Sequence, residues 1–200
     1  MGGRNQVAKR AFDLMLTTLA LPAALPLLLV CAIAVRLDSP GPILFRQLRT
    51  GHHGRQFTLY KFRTMVRDAE QLKQRLRHLN VLSPPDFKIP NDPRITRVGR
   101  LLRATSLDEL PQLVNVLRGD MSLVGPQPST FSARTYELWH TRRLEAKPGL
   151  TGLWQISGRH TTGFDERVRI DEQYIRRQTV LGDLWIVLQT IPALLRKEGA

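Results

Sequence analysis

The chain is short of several things, and each shortage narrows the reading. It holds a single cysteine, Cys31, among 200 residues. No disulfide can close within one chain, which fits a domain facing a reducing, cytoplasmic compartment. No Cys/His spacing of a zinc site occurs, and aromatic residues make up 6% of the sequence. With no recognition-helix pattern either, the usual equipment for reading nucleic acid is missing. Neither a P-loop nor a dinucleotide glycine fingerprint is present, which argues against a kinase or a Rossmann enzyme. There is no internal repeat and no linker, so the length fits one domain with its own core. Acids are scarce: 17 Asp and Glu stand against 30 Lys and Arg, a formal charge of +13. That surplus calls for anionic partners, whether nucleic acid, lipid headgroups or phosphorylated substrates.

The surplus is uneven. Residues 1–67 carry ten Lys/Arg and only two acids, Asp13 and Asp38. The same segment holds an uncharged run of 22 residues, Leu14 to Val35. Basic charge beside a long apolar run favours a membrane over nucleic acid. A signal peptide would need a small-residue cleavage site before Arg36, and none is there. A simple transmembrane helix needs about 20 apolar residues, which the run supplies. Two features argue against it. Pro22 and Pro26 sit mid-run, where proline breaks or kinks a helix. Both flanks are basic (Arg4, Lys9 and Arg10 before; Arg36, Arg46 and Arg49 after), and the positive-inside rule keeps both on the cytoplasmic side. A helix that enters the bilayer, bends at proline and returns meets both observations. Residues 1–37 therefore read as a re-entrant membrane helix, and 38–200 as a cytoplasmic domain forming one structural unit with it.

Beyond the Asp38–Pro42 turn, Ile43–Gln47 and Phe57–Phe62 read as strands of a hairpin around Gly51-His52-His53-Gly54. The paired histidines read as exposed turn residues rather than metal ligands. Residues 66–79 carry Ala69, Leu72, Leu76 and Leu79 at helical spacing, a surface helix. The proline-rich stretch Asn80–Pro93 reads as a loop able to cover a site. Arg97, Arg100 and Arg103 share a helix face within Ile95–Ala104. Leu123–Pro128 reads as rigid loop, Phe131–Glu145 as helix, and Pro148–Gln155 as a turn entering a short strand ended by Gly158-Arg159. Phe164–Gln178 reads as a polar helix. Asp183–Lys197 has an apolar face wide enough for the core or a membrane surface, with the core as default. The fold class expected is α/β and helix-rich, with a small β-hairpin or sheet and amphipathic membrane-surface helices.

The stretch Ser106-Leu107-Asp108-Glu109-Leu110-Pro111-Gln112 stands out, because it sets two adjacent carboxylates in an acid-poor chain. Ser106 and Glu109 have the spacing of a capping box, and an apolar run follows. Pro111 is tolerated only in a first helical turn, so Asp108 and Glu109 are expected at a helix N-terminus. There the helix dipole and free N–H groups favour anions. Acids in a first turn are also ordinary helix punctuation. Set among Lys61, Arg103 and Arg159, the carboxylates Asp108, Glu109, Asp120 and Asp171 suit a divalent cation holding a diphosphate. Mg²⁺ needs only one or two carboxylates plus substrate phosphates, and arginine forks bind phosphate oxygens.

Seven stretches then coincide in order with one family. They are Lys9–Asp13, Ser39–Pro42, Tyr60–Met65, Asn91–Thr96, Leu107–Gln112, Gly119–Pro126 and Pro148–Gly152. The chain closely resembles the bacterial sugar transferases, the monotopic phosphoglycosyl transferases, in their compact catalytic form without an extra N-terminal transmembrane bundle. The resemblance implies transfer of sugar 1-phosphate from a UDP-sugar to polyprenyl phosphate with release of UMP. That would be the first membrane step of surface glycan or exopolysaccharide assembly. It implies Asp108 as nucleophile, through a covalent aspartyl intermediate, and as Mg²⁺ ligand, with Glu109 in support. Lys61, Arg103, Arg159 and Asp171 map to the substrate pocket. The expected setting is the bacterial inner membrane, monotopic, with the catalytic domain on the cytoplasmic face. Expected partners are donor, acceptor and membrane lipids, with no nucleic acid.

Two positions depart from the family pattern. Gln127 stands where Arg is common in a Gly-Pro-Arg-Pro motif, which puts donor affinity or choice in question. Leu25 precedes Pro26 where serine is frequent, and a serine hydroxyl would bond backbone groups freed at the break. Two other readings compete: a non-catalytic membrane scaffold, against which the intact dyad speaks, and a nucleic-acid binder, against which the apolar run speaks.

Overall fold

The computed structural model describes residues 3–81, 87, 89–129, 137–157 and 163–195. Helix α1 spans Gly3–Asp38 and runs unbroken across Pro22 and Pro26. Its 36 residues make a rod of about 54 Å at 1.5 Å per residue. Buried Asp13, Thr17, Ala24, Cys31 and Val35 recur at steps of four and seven, one stripe along the rod. Away from the stripe, Leu19, Leu25, Leu29, Val30 and Ile33 are more than half exposed.

Both ends of α1 are fixed to one body. Near its start, Lys9 Nζ reaches Asp183 at 2.6 Å and the Val124 carbonyl at 3.0 Å. Arg10 donates to the carbonyls of Val116 and Leu117, in the last turn of a helix, where carbonyls lack their i+4 donors. Asp13 accepts from the Ser122 hydroxyl and the Leu123 N–H. Near its end, Cys31 and Val35 pack with Phe62 and Leu102. Asp38 there accepts from the Val98 N–H, in the first turn of the next long helix.

Strands β1 (Leu44–Thr50) and β2 (Gln56–Phe62) form the expected antiparallel hairpin, with Leu44 opposite Phe62 and Thr50 opposite Gln56. Helix α2 (Ala69–Arg75) is followed by a 3₁₀ turn, Arg77–Leu79, so the expected single helix is two pieces. Helix α3 (Arg97–Ala104) starts at Thr96, whose side chain accepts from the Gly99 N–H. A Cβ on Gly99 would lie 2.1 Å from the Thr64 carbonyl oxygen. Only glycine lets α3 lie this close to the end of the hairpin. A 3₁₀ helix, Leu107–Gln112, leads directly into α4 (Leu113–Arg118), which ends at left-handed Gly119.

The expected rigid loop at 123–128 begins instead as strand β3 (Ser122–Val124). It pairs in parallel with β4 (Gly149–Thr151), Ser122 opposite Gly149 and Val124 opposite Thr151. Three-residue strands are too short to show a period of two, and the glycines that permit the close approach hide the pattern further. Residues 153–156, read as strand, are the short helix α5 (Leu153–Ile156). The expected helix at 131–145 is a 3₁₀ helix over Leu138–Glu145, with Glu137 and His140 as its capping pair; positions 130–136 lie outside the described residues. Helices α6 (Phe164–Arg176) and α7 (Val180–Leu195) close the fold. The core default for α7 holds for one face only. Asp183 and Ile186 are buried, while Leu181, Trp185, Leu188 and Ile191 are more than half exposed.

Candidate active site

The dyad is delivered by packing between β2 and α4. Asn115, fully buried on α4, donates through Nδ2 to the Thr58 carbonyl at 2.7 Å and accepts from the Tyr60 N–H at 3.2 Å. One amide thus takes the part of a neighbouring strand for β2. Its backbone carbonyl also accepts from the N–H groups of Asp120 and Met121. Leu59, Val116 and Met121 form the apolar cluster beneath. The 3₁₀ helix just before α4 is thereby held against Lys61, and the Lys61 ammonium lies 2.6 Å from Glu109 Oε1.

This geometry corrects the capping-box expectation. Ser106 makes no side-chain cap and sits at φ 56°, in the left-handed region. Glu109 turns to Lys61 instead of back to Ser106. Pro111 explains the difference, since it has no N–H to continue an α-helical ladder and the dyad is carried on a tighter 3₁₀ turn. A non-glycine residue at positive φ is strained, and here the strain falls two residues before Asp108, itself 9% exposed.

Three cavities meet at Glu109, and Asp108 lines the first of them. A basic cavity of about 1120 Å³ is lined by Asp108 and Glu109 together with Arg46, Arg49, Lys61, Arg63, Arg67 and Arg103. An inner cleft of about 140 Å³ is lined by Arg49, Lys61, Glu109, Gln127, Trp154, Phe164, Arg143, Arg167 and Asp171. An apolar groove of about 760 Å³ runs between α1 and α7 and reaches Ser106, Glu109 and Gln127. Glu109 lines all three, and the Lys61–Glu109 pair forms the wall between the first two.

The structure therefore brings together Lys61, Arg103, Asp108, Glu109, Gln127 and Asp171 of the sequence-derived site. Arg159 lies outside the described residues. Asp120 lines none of the three cavities, and its carboxylate instead lies 3.5 Å from the Asn115 amide. Arg103 Nε donates to Thr64 Oγ1 at 2.9 Å. Burial pulls its guanidinium below its ordinary pKa, while the charges of Asp108 and Asp92 push the other way. Asp171 is 2.8 Å from the Arg143 guanidinium. Its burial raises the carboxyl to about 6, with Arg143 and Arg167 opposing the rise.

Sequence reasoning missed Arg49, Arg143, Arg167 and Trp154. Arg167 stacks over Trp154 and Phe164, and Arg143 over Phe164, at ring distances of 5.4–5.6 Å. The spacing of Arg167 and Asp171 on one helix face was a usable signal. Arg143 had none, because it arrives from a distant 3₁₀ helix. No group of three His, Cys, Asp or Glu side chains among the described residues could hold a metal ion by itself. Asp108 on a roomy cavity lined by cations does fit Mg²⁺ in its usual form, one carboxylate with waters and substrate phosphates.

A model of the family described as bacterial sugar transferase matches residues 4–197. The chain belongs to that family. It is 43% identical to an undecaprenyl-phosphate galactose phosphotransferase of Salmonella typhimurium, over 98% of this chain and 42% of that protein. It is 44% identical to a UDP-glucose:undecaprenyl-phosphate glucose-1-phosphate transferase of Caulobacter vibrioides, over 96% of this chain and 71% of that protein. It is 40% identical to the exopolysaccharide production protein ExoY of Sinorhizobium fredii, over 97% and 88%. The chain thus spans about two-fifths of the length of the Salmonella relative and most of the length of ExoY.

Proposed function

We propose that the chain transfers sugar 1-phosphate from a UDP-sugar to undecaprenyl phosphate and releases UMP, as a membrane step of exopolysaccharide or surface glycan assembly. The observation that carries this reading is the position of the dyad. Asp108 lines a large basic cavity, and its neighbour Glu109 lines both that cavity and an apolar groove, in a member of a family of sugar transferases. Diphosphate chemistry needs the first, and a polyprenyl acceptor needs the second.

The basic cavity takes the nucleotide diphosphate, with arginine forks on its oxygens. The Asp108 carboxylate attacks the sugar-bearing phosphorus. The bond from that phosphorus to the bridging oxygen breaks, and UMP leaves with the electron pair. An acyl phosphate on Asp108 results. An oxygen of undecaprenyl phosphate then attacks the same phosphorus, and the Asp108 carboxylate departs unchanged. Glu109 and Lys61 position the incoming phosphate, and Arg103 offsets charge beside Asp108. Mg²⁺ held by Asp108 and the substrate phosphates would supply further charge neutralisation. Splitting the reaction this way lets soluble donor and lipid acceptor use the site in turn.

The membrane reading is monotopic. Helix α1 is long and apolar enough to cross a bilayer, yet its two ends bind one body through Lys9, Arg10 and Asp13 and through Cys31, Val35 and Asp38. The expected bend at Pro22 and Pro26 is replaced by a continuous helix, and a rod so fixed lies along that body at the cytoplasmic leaflet, with the exposed faces of α1 and α7 in lipid. Incubating the detergent-solubilised chain with undecaprenyl phosphate and a panel of UDP-sugars tests the activity. UMP release with at least one sugar, lost in Asp108→Asn, is expected. No release from any of them, or release indifferent to Asp108→Asn, would refute it.

A further inference from the structure

We infer that the apolar groove between α1 and α7 seats the head-proximal isoprene units of the acceptor, and that Gln127 and Trp154 guide its phosphate to Lys61. The inference rests on the transferase reading and adds where, and against which residues, the lipid lies.

Charge separates the cavities. Glu109 is the one charged side chain among the described residues lining the groove, whereas six Lys and Arg line the basic cavity. A nucleotide diphosphate in the groove would lose its hydration with no cation to replace it. An uncharged hydrocarbon chain loses nothing there and gains burial. The walls are Leu16, Leu19 and Ala20 of α1 against Val187, Ile191 and Leu194 of α7. Leu19 and Ile191 are 69% and 61% exposed, so the mouth opens within the apolar surface that both helices present.

The inner end supplies what the walls lack. The groove shares Glu109, Gln127, Leu150 and Trp154 with the inner cleft, and the cleft holds Lys61, Arg143 and Arg167. A single chain ending in a phosphate can lie along the groove and carry its charge past Gln127 to those cations. The donor reaches Asp108 from the opposite side, through the basic cavity. Gln127 lines the cleft and the groove but not the basic cavity, so it meets the acceptor before it meets the nucleotide. A neutral amide at this point hydrogen-bonds the headgroup without holding the lipid diphosphate product as a guanidinium fork would.

Photolabelling of the wild-type chain, with no donor present, tests this directly. The probe is a polyprenyl phosphate with a diazirine in its first isoprene units. Label is expected on the peptides containing Leu16–Ala20 and Val187–Leu194. Undecaprenyl phosphate should remove it, and a tenfold excess of phosphatidylglycerol should not. Label on other segments, or equal displacement by phosphatidylglycerol, would overturn the assignment, the latter showing a bulk-lipid surface. As a second reading, Ala193→Trp fills the groove. It should raise the KM for undecaprenyl phosphate about tenfold, equivalent to 1.4 kcal/mol, and that for farnesyl phosphate by a similar factor, since both carry the head-proximal units. A rise for neither, or for undecaprenyl phosphate alone, would also count against it. Absence of UMP release by the wild type would refute the transferase reading instead, and the labelling pattern does not depend on that result.

Discussion

Burial decides the protonation of Asp171. Its folded-state pKa of about 6 lies above the ~3.9 of an unfolded aspartate. Between those values the folded chain binds a proton that the unfolded chain has lost, so stability falls as pH rises. The contribution is fully present below about pH 4 and gone above about pH 6, up to about 3 kcal/mol. Asp171→Asn removes this slope. The difference in unfolding free energy between variant and wild type should therefore shift in favour of the variant from pH 4 to 6.5. A difference that stays constant over that range would show that Arg143, 2.8 Å away, holds the carboxylate ionised throughout. At this scale the sequence was partly legible. Asp108, Glu109 and Lys61 were readable because unlike charges in an acid-poor, motif-bearing chain are conspicuous. The Ser106 cap was misread because spacing alone does not report a left-handed backbone, and Pro111 imposes a tighter turn than the α-helix assumed.

Among the elements, α4 carries the site through one residue. Asn115→Leu keeps the branching at Cγ and removes both hydrogen bonds to β2, leaving the Thr58 carbonyl and the Tyr60 N–H buried without partners. A loss of about 2–4 kcal/mol is expected from two unsatisfied groups. UMP release should also fall, because β2 then no longer holds Lys61 against Glu109. A variant with wild-type melting and wild-type turnover would show that β2 and α4 hold their register without the amide. The hairpin β1–β2 and helices α3, α6 and α7 were visible in apolar periodicity and turn residues. Strands β3 and β4 were not, since three residues held by a long-range parallel pairing leave no local pattern. Helix α7 was half legible: an apolar face too wide for the core does not reveal which part meets lipid.

At the scale of the whole molecule, charge and packing both bear on the placement of α1. Basic flanks around Leu14–Val35 predict both ends on one side, and the buried stripe from Asp13 to Val35 lies along a single body for about 33 Å. The long-range contacts that make this stripe were beyond sequence reasoning, whereas the flanking charges were in plain view. Gly3→Cys and Pro40→Cys, each in a Cys31→Ser background in intact cells, should both resist a membrane-impermeant thiol reagent added from the periplasmic side. Labelling at position 3 alone would mean that α1 spans the bilayer and that its contacts with β3, α4 and α7 do not persist in the membrane.

Nucleophilic attack by Asp108 is tested most directly by one experiment. The chain is mixed with a UDP-sugar that it turns over, with no lipid acceptor, and UMP and protein mass are followed together. A burst of UMP approaching one equivalent per chain is expected, with one sugar-phosphate added to the peptide that carries Asp108. Asp108→Asn should lose both signals. A wild-type chain that shows no burst and no mass change until undecaprenyl phosphate is added would contradict covalent catalysis and leave direct attack by the lipid.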